Sequence, residues 1–193
     1  MNDTWDEYAD GWDTNSDVLA YSNNAFQKLT EVVHLESLDV FDFGCGTGLL
    51  TEKISPLAKS IVSIDTSQKM LSVLEGKKIG NVTPICSSLS NLKNFSETGF
   101  QSHFDLVVAS SVCAFVSDYE DTAHHLKSLL KPKGIFVQWD WYSEDKEPGS
   151  GFTNNQMQET LAKVGFQSIS ISTAFTMPSP DGDAVVLMAV ARL

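Results

Sequence analysis

The chain has 193 residues, with 13 basic against 25 acidic side chains for a net charge of −12, and Arg192 is its only arginine. A negative field with no basic stripe and no guanidinium fork for phosphate or guanine argues against a DNA or RNA substrate. No apolar stretch nears the ~20 residues that span a bilayer, and Cys45, Cys86 and Cys113 lack C-x-x-C spacing, so neither a membrane protein, a disulfide frame nor a zinc centre is expected.

The same features predict a cytoplasmic protein whose thiols stay reduced, built as one domain over 1–193. Residues 1–17 carry six acids and no base, together with Trp5, Tyr8 and Trp12. A helix is expected from about Asp17 to Leu35, with Leu19, Phe26, Leu29, Val32 and Val33 as its apolar stripe. The first strand is read over Leu38 to Phe43 and the second over Ser60 to Ile64. Asp65-Thr66-Ser67 then caps a helix from about Gln68 to Glu75, which Gly76 should stop. Val82 to Cys86 and Phe104 to Ala109 read as strands three and four. A helix over Tyr119 to Leu130 follows, and Pro132-Lys133-Gly134 turns into a fifth strand, Ile135 to Trp139. After the loop Glu147-Pro148-Gly149-Ser150-Gly151, Thr153 should cap a helix reaching Val164. Strands over Gln167 to Phe175 and Ala184 to Val190 close the chain around a turn with Pro178, Pro180 and Asp181-Gly182. This alternation implies a mostly parallel sheet with one antiparallel strand.

The most specific local signal is Val40-Phe41-Asp42-Phe43-Gly44-Cys45-Gly46-Thr47-Gly48. An apolar strand interrupted by one carboxylate runs into glycines at alternate positions, a pattern suited to a ligand pressed against bare main chain. A dinucleotide loop wants its third glycine three residues after the second, where this chain has Leu49. Asp42 would also repel a pyrophosphate, whereas it suits a cofactor bearing an ammonium and a sulfonium.

The acidic residue followed by G-x-G-x-G resembles the first motif of the class I S-adenosylmethionine-dependent methyltransferases, and the likeness extends from about Val40 to Lys133. It implies a Rossmann-like α/β fold, a seven-stranded mostly parallel sheet with helices on both faces and an antiparallel C-terminal hairpin. It also implies an N-terminal helical cap over 1–35 and a core over 36–193. Asp42, Gly44, Cys45, Gly46 and Gly48 would hold the amino-acid end of S-adenosylmethionine. Asp65 would accept from the ribose hydroxyls, Thr66 and Met70 would wall the adenine, and Ser88, Leu89 and Ser110 would complete the cofactor site. Ser88 stands where relatives often carry an aspartate. Ser110 and Ser111 replace the aspartate of aminopropyltransferases, and no proline-rich run for a flipped base follows strand four. Ala114 and Phe115 stand where many small-molecule methyltransferases have histidines.

The remaining candidate for acid–base work is Asp140, at the carboxyl end of strand five where ligands of open α/β sheets collect. Tyr8, Trp12, Phe115, Trp139, Trp141 and Tyr142 are candidates for an aromatic acceptor site, which together with carboxylates favours a neutral or cationic small molecule. No His/Cys/Asp cluster has metal-ligand spacing, and no metal is expected. The expected reaction is methyl transfer from S-adenosylmethionine to a small-molecule O, N or S nucleophile, with S-adenosylhomocysteine as product. The alternatives are a non-catalytic binder of either compound, or methylation of a protein side chain.

Overall fold

The apolar run before the glycines forms β1, Asp39–Phe43, in which every residue is buried. Both faces are covered, which is why Val40, Phe41 and Phe43 show no alternation, and the two aspartates of the strand are buried with hydroxyl partners, Asp39 with Ser60 and Asp42 with Thr51. The structure is a computed structural model and describes residues 3–88, 100–145, 147, 149–180 and 182–193, with backbone only at 3 and 4. Its seven strands form one sheet in the order β3-β2-β1-β4-β5-β7-β6, and the chain divides into two compact units, Met1–Asn94 and Phe95–Leu193.

In the first unit, α1 (Asp3–Asp6) and a 3-10 turn (Trp12–Thr14) precede α2, Ser16–Val32. Asn15 starts α2 by accepting from the N–H groups of Asp17 and Val18, and Val33 is already extended, so the helix ends before Leu35. The face it buries centres on Ser22, Ala25 and Leu29. β1 is followed by α3 (Leu49–Ile54), β2 (Ser60–Asp65), α4 (Gln68–Gly76) and β3 (Val82–Cys86). β1 and β3 pair parallel with β2, with Val40 opposite Ile61 and Ile61 opposite Val82. Gly76 does not stop α4. It is the last helical residue, and the left-handed position falls at Lys78, φ 52°.

The second unit carries β4 (Phe104–Ser110), α5 (Tyr119–Leu129), β5 (Leu130–Trp141), α6 (Asn154–Val164), β6 (Ser168–Ser179) and β7 (Gly182–Arg192). Thr153 caps α6 in a reciprocal box with Gln156, worth about 1 kcal/mol. The Pro-Lys-Gly turn expected ahead of strand five lies inside β5 as an irregularity. Phe104 pairs Leu130 and Leu106 pairs Ile135, so β5 carries three extra residues there, with Lys133 at φ 70°.

β7 runs antiparallel to both β5 and β6, so it is the single reversed strand. The closing hairpin is tighter than the prolines suggest. Ser179 pairs Gly182, leaving Pro180 and Asp181 between them, and Pro178 sits within β6 opposite Asp183. Asp181 and Pro148 lie outside the described residues. An edge strand tolerates Pro178 because its missing N–H is not needed on the outer side. β6 is that edge strand, and none of its twelve residues is charged.

Candidate functional site

The turn after β1 takes its shape from three left-handed residues, Gly44 (φ 68°), Gly46 (φ 55°) and Gly48 (φ 79°). Gly44 and Cys45 donate their N–H groups to the Ile64 carbonyl at 2.9 and 3.0 Å, which ties the turn to the end of β2. The glycines serve different ends. A Cβ on Gly48 would lie 2.3 Å from Leu74 Cδ1, so this position lets α4 pack on the loop. A Cβ on Gly46 would meet nothing within 4 Å, so the space above Gly46 is open.

Asp65 faces that space from the end of β2. Its Oδ2 accepts from the Gly46 N–H at 2.8 Å and its Oδ1 from the Ser67 N–H at 2.9 Å. Burial raises its pKa, and the N–H donors only partly offset this. Asp42, 1% exposed, accepts from the Thr51 hydroxyl, which also lies 3.1 Å from the Ser63 hydroxyl. Burial pushes Asp42 up to about 7, against the pull of Thr51 and with added repulsion from Asp65. The half-buried Cys45 thiol is pushed up by burial and then by the same two carboxylates. The two carboxylates give the loop a negative potential, a setting that favours a positively charged ligand.

The other expected cofactor residues fall into place unevenly. Thr66 is half-buried, and its carbonyl accepts from the Cys86 thiol at 3.7 Å. Met70 is 2% exposed and belongs to the core face of α4. Ser88 is half-buried, and its carbonyl accepts from the Ser87 hydroxyl at 3.3 Å. Leu89 lies outside the described residues.

The N-terminal segment meets the loop through contacts that sequence reading missed. Asp13 accepts from the Thr47 hydroxyl and pairs with Lys77 at 2.8 Å, and Lys77 also reaches Glu52 at 2.9 Å. Burial pulls the Lys77 pKa down, but the two carboxylates override it and raise the net value. Asp6 accepts from the Ser67 hydroxyl and the Lys69 N–H, at the N-terminal end of α4 where a negative charge is welcome. The Ser67 bond, first among its influences, lowers the Asp6 pKa. The six acids without a base were the available signal, since such a segment needs cationic or N–H partners elsewhere. Trp5, Tyr8 and Trp12 cluster as their spacing suggested, with centroids 5.9 to 6.4 Å apart, and Tyr8 stays 54% exposed.

In the second unit, Asp140 and Gln138 share one face of β5 and both are fully buried. Asp140 Oδ2 accepts from the Gln138 amide at 2.9 Å, while Oδ1 has no hydrogen-bond partner among the described residues. Burial pushes Asp140 up to about 7. The Gln138 amide, and more weakly the N–H groups of Ala114 and Cys113, pull the other way. Trp139 lies on the opposite face, fully buried, so it is a core residue. Trp141 takes the same face as Trp139 and closes against the next loop, its carbonyl accepting from the Phe152 N–H at 2.8 Å. Tyr142 is 41% exposed and donates to Glu144 at 2.7 Å; Phe115 is 47% exposed. Ser110 ends β4 opposite Trp139, and Ser111 (φ 55°) donates its N–H to the Trp139 carbonyl at 2.7 Å. Among the described residues no three His, Cys, Asp or Glu side chains group as a metal site would, and no helix is long and apolar enough to cross a membrane.

A methyltransferase-domain family model matches residues 41–136, the stretch that contains the glycine loop, Asp65 and β4. The chain belongs to the class I S-adenosylmethionine-dependent methyltransferases. An uncharacterised methyltransferase of Schizosaccharomyces pombe is 31% identical over 79% of the chain and 52% of its own length. A ubiquinone biosynthesis O-methyltransferase of Rhizobium rhizogenes is 29% identical over 52% of the chain and 40% of its own length. The chain thus spans about half the length of these curated relatives. Among solved structures, a chain of the complex between the Haloferax volcanii Trm112 methyltransferase activator and its partner superposes with a TM-score of 0.79. It covers 98% of this chain and 97% of that one at 15% identity, a likeness of fold. The open space at Gly46 and the buried carboxyl of Asp42 fit the amino-acid end of S-adenosylmethionine.

Proposed function

We propose that the protein methylates a small-molecule O, N or S nucleophile, neutral or cationic, using S-adenosylmethionine. The observation that carries this reading is the buried Asp42 beside a loop whose Gly46 leaves open space. When bound, S-adenosylmethionine supplies an electrophilic methyl group on a sulfonium. Gly46 admits it to the main chain, Asp42 offsets its positive charge, and Asp65 accepts from its ribose hydroxyls. Residues 3–15 act as the cap of that site, held by Asp6 on Ser67 and by Asp13 on Thr47 and Lys77. Asp140, in the second unit, is the candidate for taking a proton from a nucleophile. A carboxyl near neutral pKa is well matched to that task. With an electrophile already activated, holding and desolvating the nucleophile supplies most of the remaining acceleration.

Calorimetry with S-adenosylmethionine, S-adenosylhomocysteine and NAD, followed by turnover against a panel of hydroxylated, amine and thiol metabolites, tests the reading. Micromolar binding of the first two with none of NAD is expected; binding of NAD alone would overturn it. In the same assay Asp65→Ala should weaken S-adenosylmethionine binding roughly ten- to a hundredfold through loss of charge-assisted bonds. Asp13→Ala should weaken it less, about three- to tenfold, because the Asp13–Lys77 pair is partly solvated. That variant should also speed proteolysis within residues 3–15 while leaving the melting temperature within a few degrees. An Asp13→Ala protein with unchanged affinity and unchanged proteolysis would remove the cap from the proposal.

A further inference from the structure

Two hydroxyl side chains behind the glycine loop have no counterpart among the sequence candidates, and both are wholly buried: Thr51 on α3 and Ser63 within β2. Ser63 pairs directly with Asp42 in the register of β1 and β2, which puts the two side chains on one face of the sheet. Thr51 reaches that face from α3, whose buried side also carries Leu50 and Ile54. Its hydroxyl donates to Asp42 Oδ2 and lies 3.1 Å from the Ser63 hydroxyl. Burying a hydroxyl in an apolar layer carries a penalty that valine or alanine in the same space would avoid, so these two hydroxyls call for a role.

The direction of the bonds follows from the hydrogens available, since a hydroxyl has one to give. An ionised Asp42 can only accept. Thr51 then gives its hydrogen to Oδ2, and the Thr51–Ser63 contact requires Ser63 to donate. Both hydrogens point toward the charge. A protonated Asp42 can instead donate to Thr51, and Thr51 to Ser63, so both hydroxyls turn round while the heavy atoms stay in place. The pair thus offers a buried carboxyl two bonded arrangements, one for each ionisation state. The aligned hydroxyls favour the charged state, because a bond to an ionised acceptor is roughly twice as strong as one between neutral groups.

We propose that Thr51 and Ser63 are positioning residues that hold the Asp42 carboxyl, through hydrogens that turn toward it when it is ionised, as the counter-charge for the positive end of S-adenosylmethionine. This rests on the reading of Asp42 as the charge that offsets that end. As the cation binds, the carboxyl O–H bond breaks, its electron pair stays on the carboxylate, and the proton passes to the buffer; the two hydroxyls then reverse. Asp65, at the end of β2, repels the Asp42 charge, and the Cys45 thiol of the loop is kept neutral by burial and by both carboxylates. Glu52, next to Thr51 on α3, is half exposed and paired with Lys77 at 2.9 Å. Against burial and Asp65, the Thr51 hydroxyl is what favours the ionised form of Asp42.

Carbon-13 titration of the aspartate carboxyls in the full chain without ligands reads the pair directly, with the Asp42 resonance assigned from Asp42→Asn. The wild-type midpoint is expected near 7. Thr51→Val keeps the shape of the side chain without its hydroxyl, and should raise the midpoint by at least about half a unit, a threefold fall in the ratio of ionised to neutral carboxyl. Ser63→Ala leaves Thr51 in place and should raise it by less, whereas Thr51→Ser retains the donor and should titrate close to the wild type. In calorimetry, Thr51→Val should bind S-adenosylmethionine about threefold more weakly than the wild type at pH 6, a loss that shrinks by pH 8.5 as the carboxyl ionises unaided. Hydroxyls that served packing alone would lower the melting temperature on removal and leave the midpoint in place. A midpoint within about 0.1 unit of the wild type in folded Thr51→Val, or a Thr51→Ser that shifts as far as Thr51→Val, would overturn the positioning role. If Thr51→Val does not fold, Ser63→Ala decides on the same criterion. Wild-type protein that fails to bind S-adenosylmethionine would overturn the proposed function instead, whatever the carboxyl midpoints show.

Discussion

The Asp42→Asn variant should be more stable than the wild type above pH 7 and bind S-adenosylmethionine more weakly. In the folded protein burial holds Asp42 near 7, against an ordinary value of 3.8. Below 3.8 both folded and unfolded chains are protonated and the site costs nothing. Between the two values the unfolded chain loses its proton first, so stability falls as pH rises. Above 7 the penalty is complete, at most about 4 kcal/mol. Asparagine carries no such penalty and can still accept from Thr51. Its advantage in melting temperature should therefore be small at pH 5 and largest at pH 8. Affinity should move the other way, falling about ten- to a hundredfold, because the variant cannot offset the ligand's cationic end. Binding to the wild type at pH 6 should also release a proton, measurable by calorimetry in buffers of different ionisation enthalpy. A variant less stable than the wild type at pH 8 would mean that the Asp42 charge is compensated in a way the fold does not display.

The Gly46→Val variant should lose S-adenosylmethionine binding by more than a hundredfold and still fold. The φ of 55° costs a non-glycine residue roughly 1–2 kcal/mol, more for a branched one. A Cβ there meets no protein atom within 4 Å, so the only body it displaces is a ligand. Gly48→Val should behave differently. Its side chain would strike Leu74 and lower the melting temperature directly. Comparing the two variants by calorimetry and thermal melting separates the ligand-facing glycine from the packing glycine. Affinity within threefold of wild type in Gly46→Val would refute the cofactor site.

The strand and helix order was readable because each element carried its own punctuation. Continuous apolar runs marked the buried strands, Ser67 and Thr153 announced helix starts, and the seven-stranded sheet with one reversed strand followed from their alternation. The errors came where tertiary pairing overrode local signals. Pro132, Lys133 and Gly134 looked like a loop, yet pairing along β4 draws them into β5, and Pro178 was absorbed into an edge strand that can do without its N–H. Lys78 reverses the chain where Gly76 seemed the obvious choice. The glycine loop and Asp65 were legible because glycines at alternate positions and a carboxylate closing a strand leave a strong residue signature. The Asp6 and Asp13 ties were not, because they join positions 61 and 34 residues apart along the chain.

The uncharged outer strand has a consequence for how the protein behaves in bulk solution. An exposed β edge is a template for another strand, and many proteins guard theirs with lysines placed on it. β6 has no such guard along twelve residues, and its half-exposed Ile169 and Ile171 alternate with Ser168, Ser170 and Ser172. The −12 charge of the chain opposes such pairing, a colloidal repulsion that acts at a distance and fades as acid titrates the carboxylates toward the isoelectric point near 4.5. Concentrated stocks are accordingly best kept well above that pH and at modest ionic strength, since added salt thins the same repulsion.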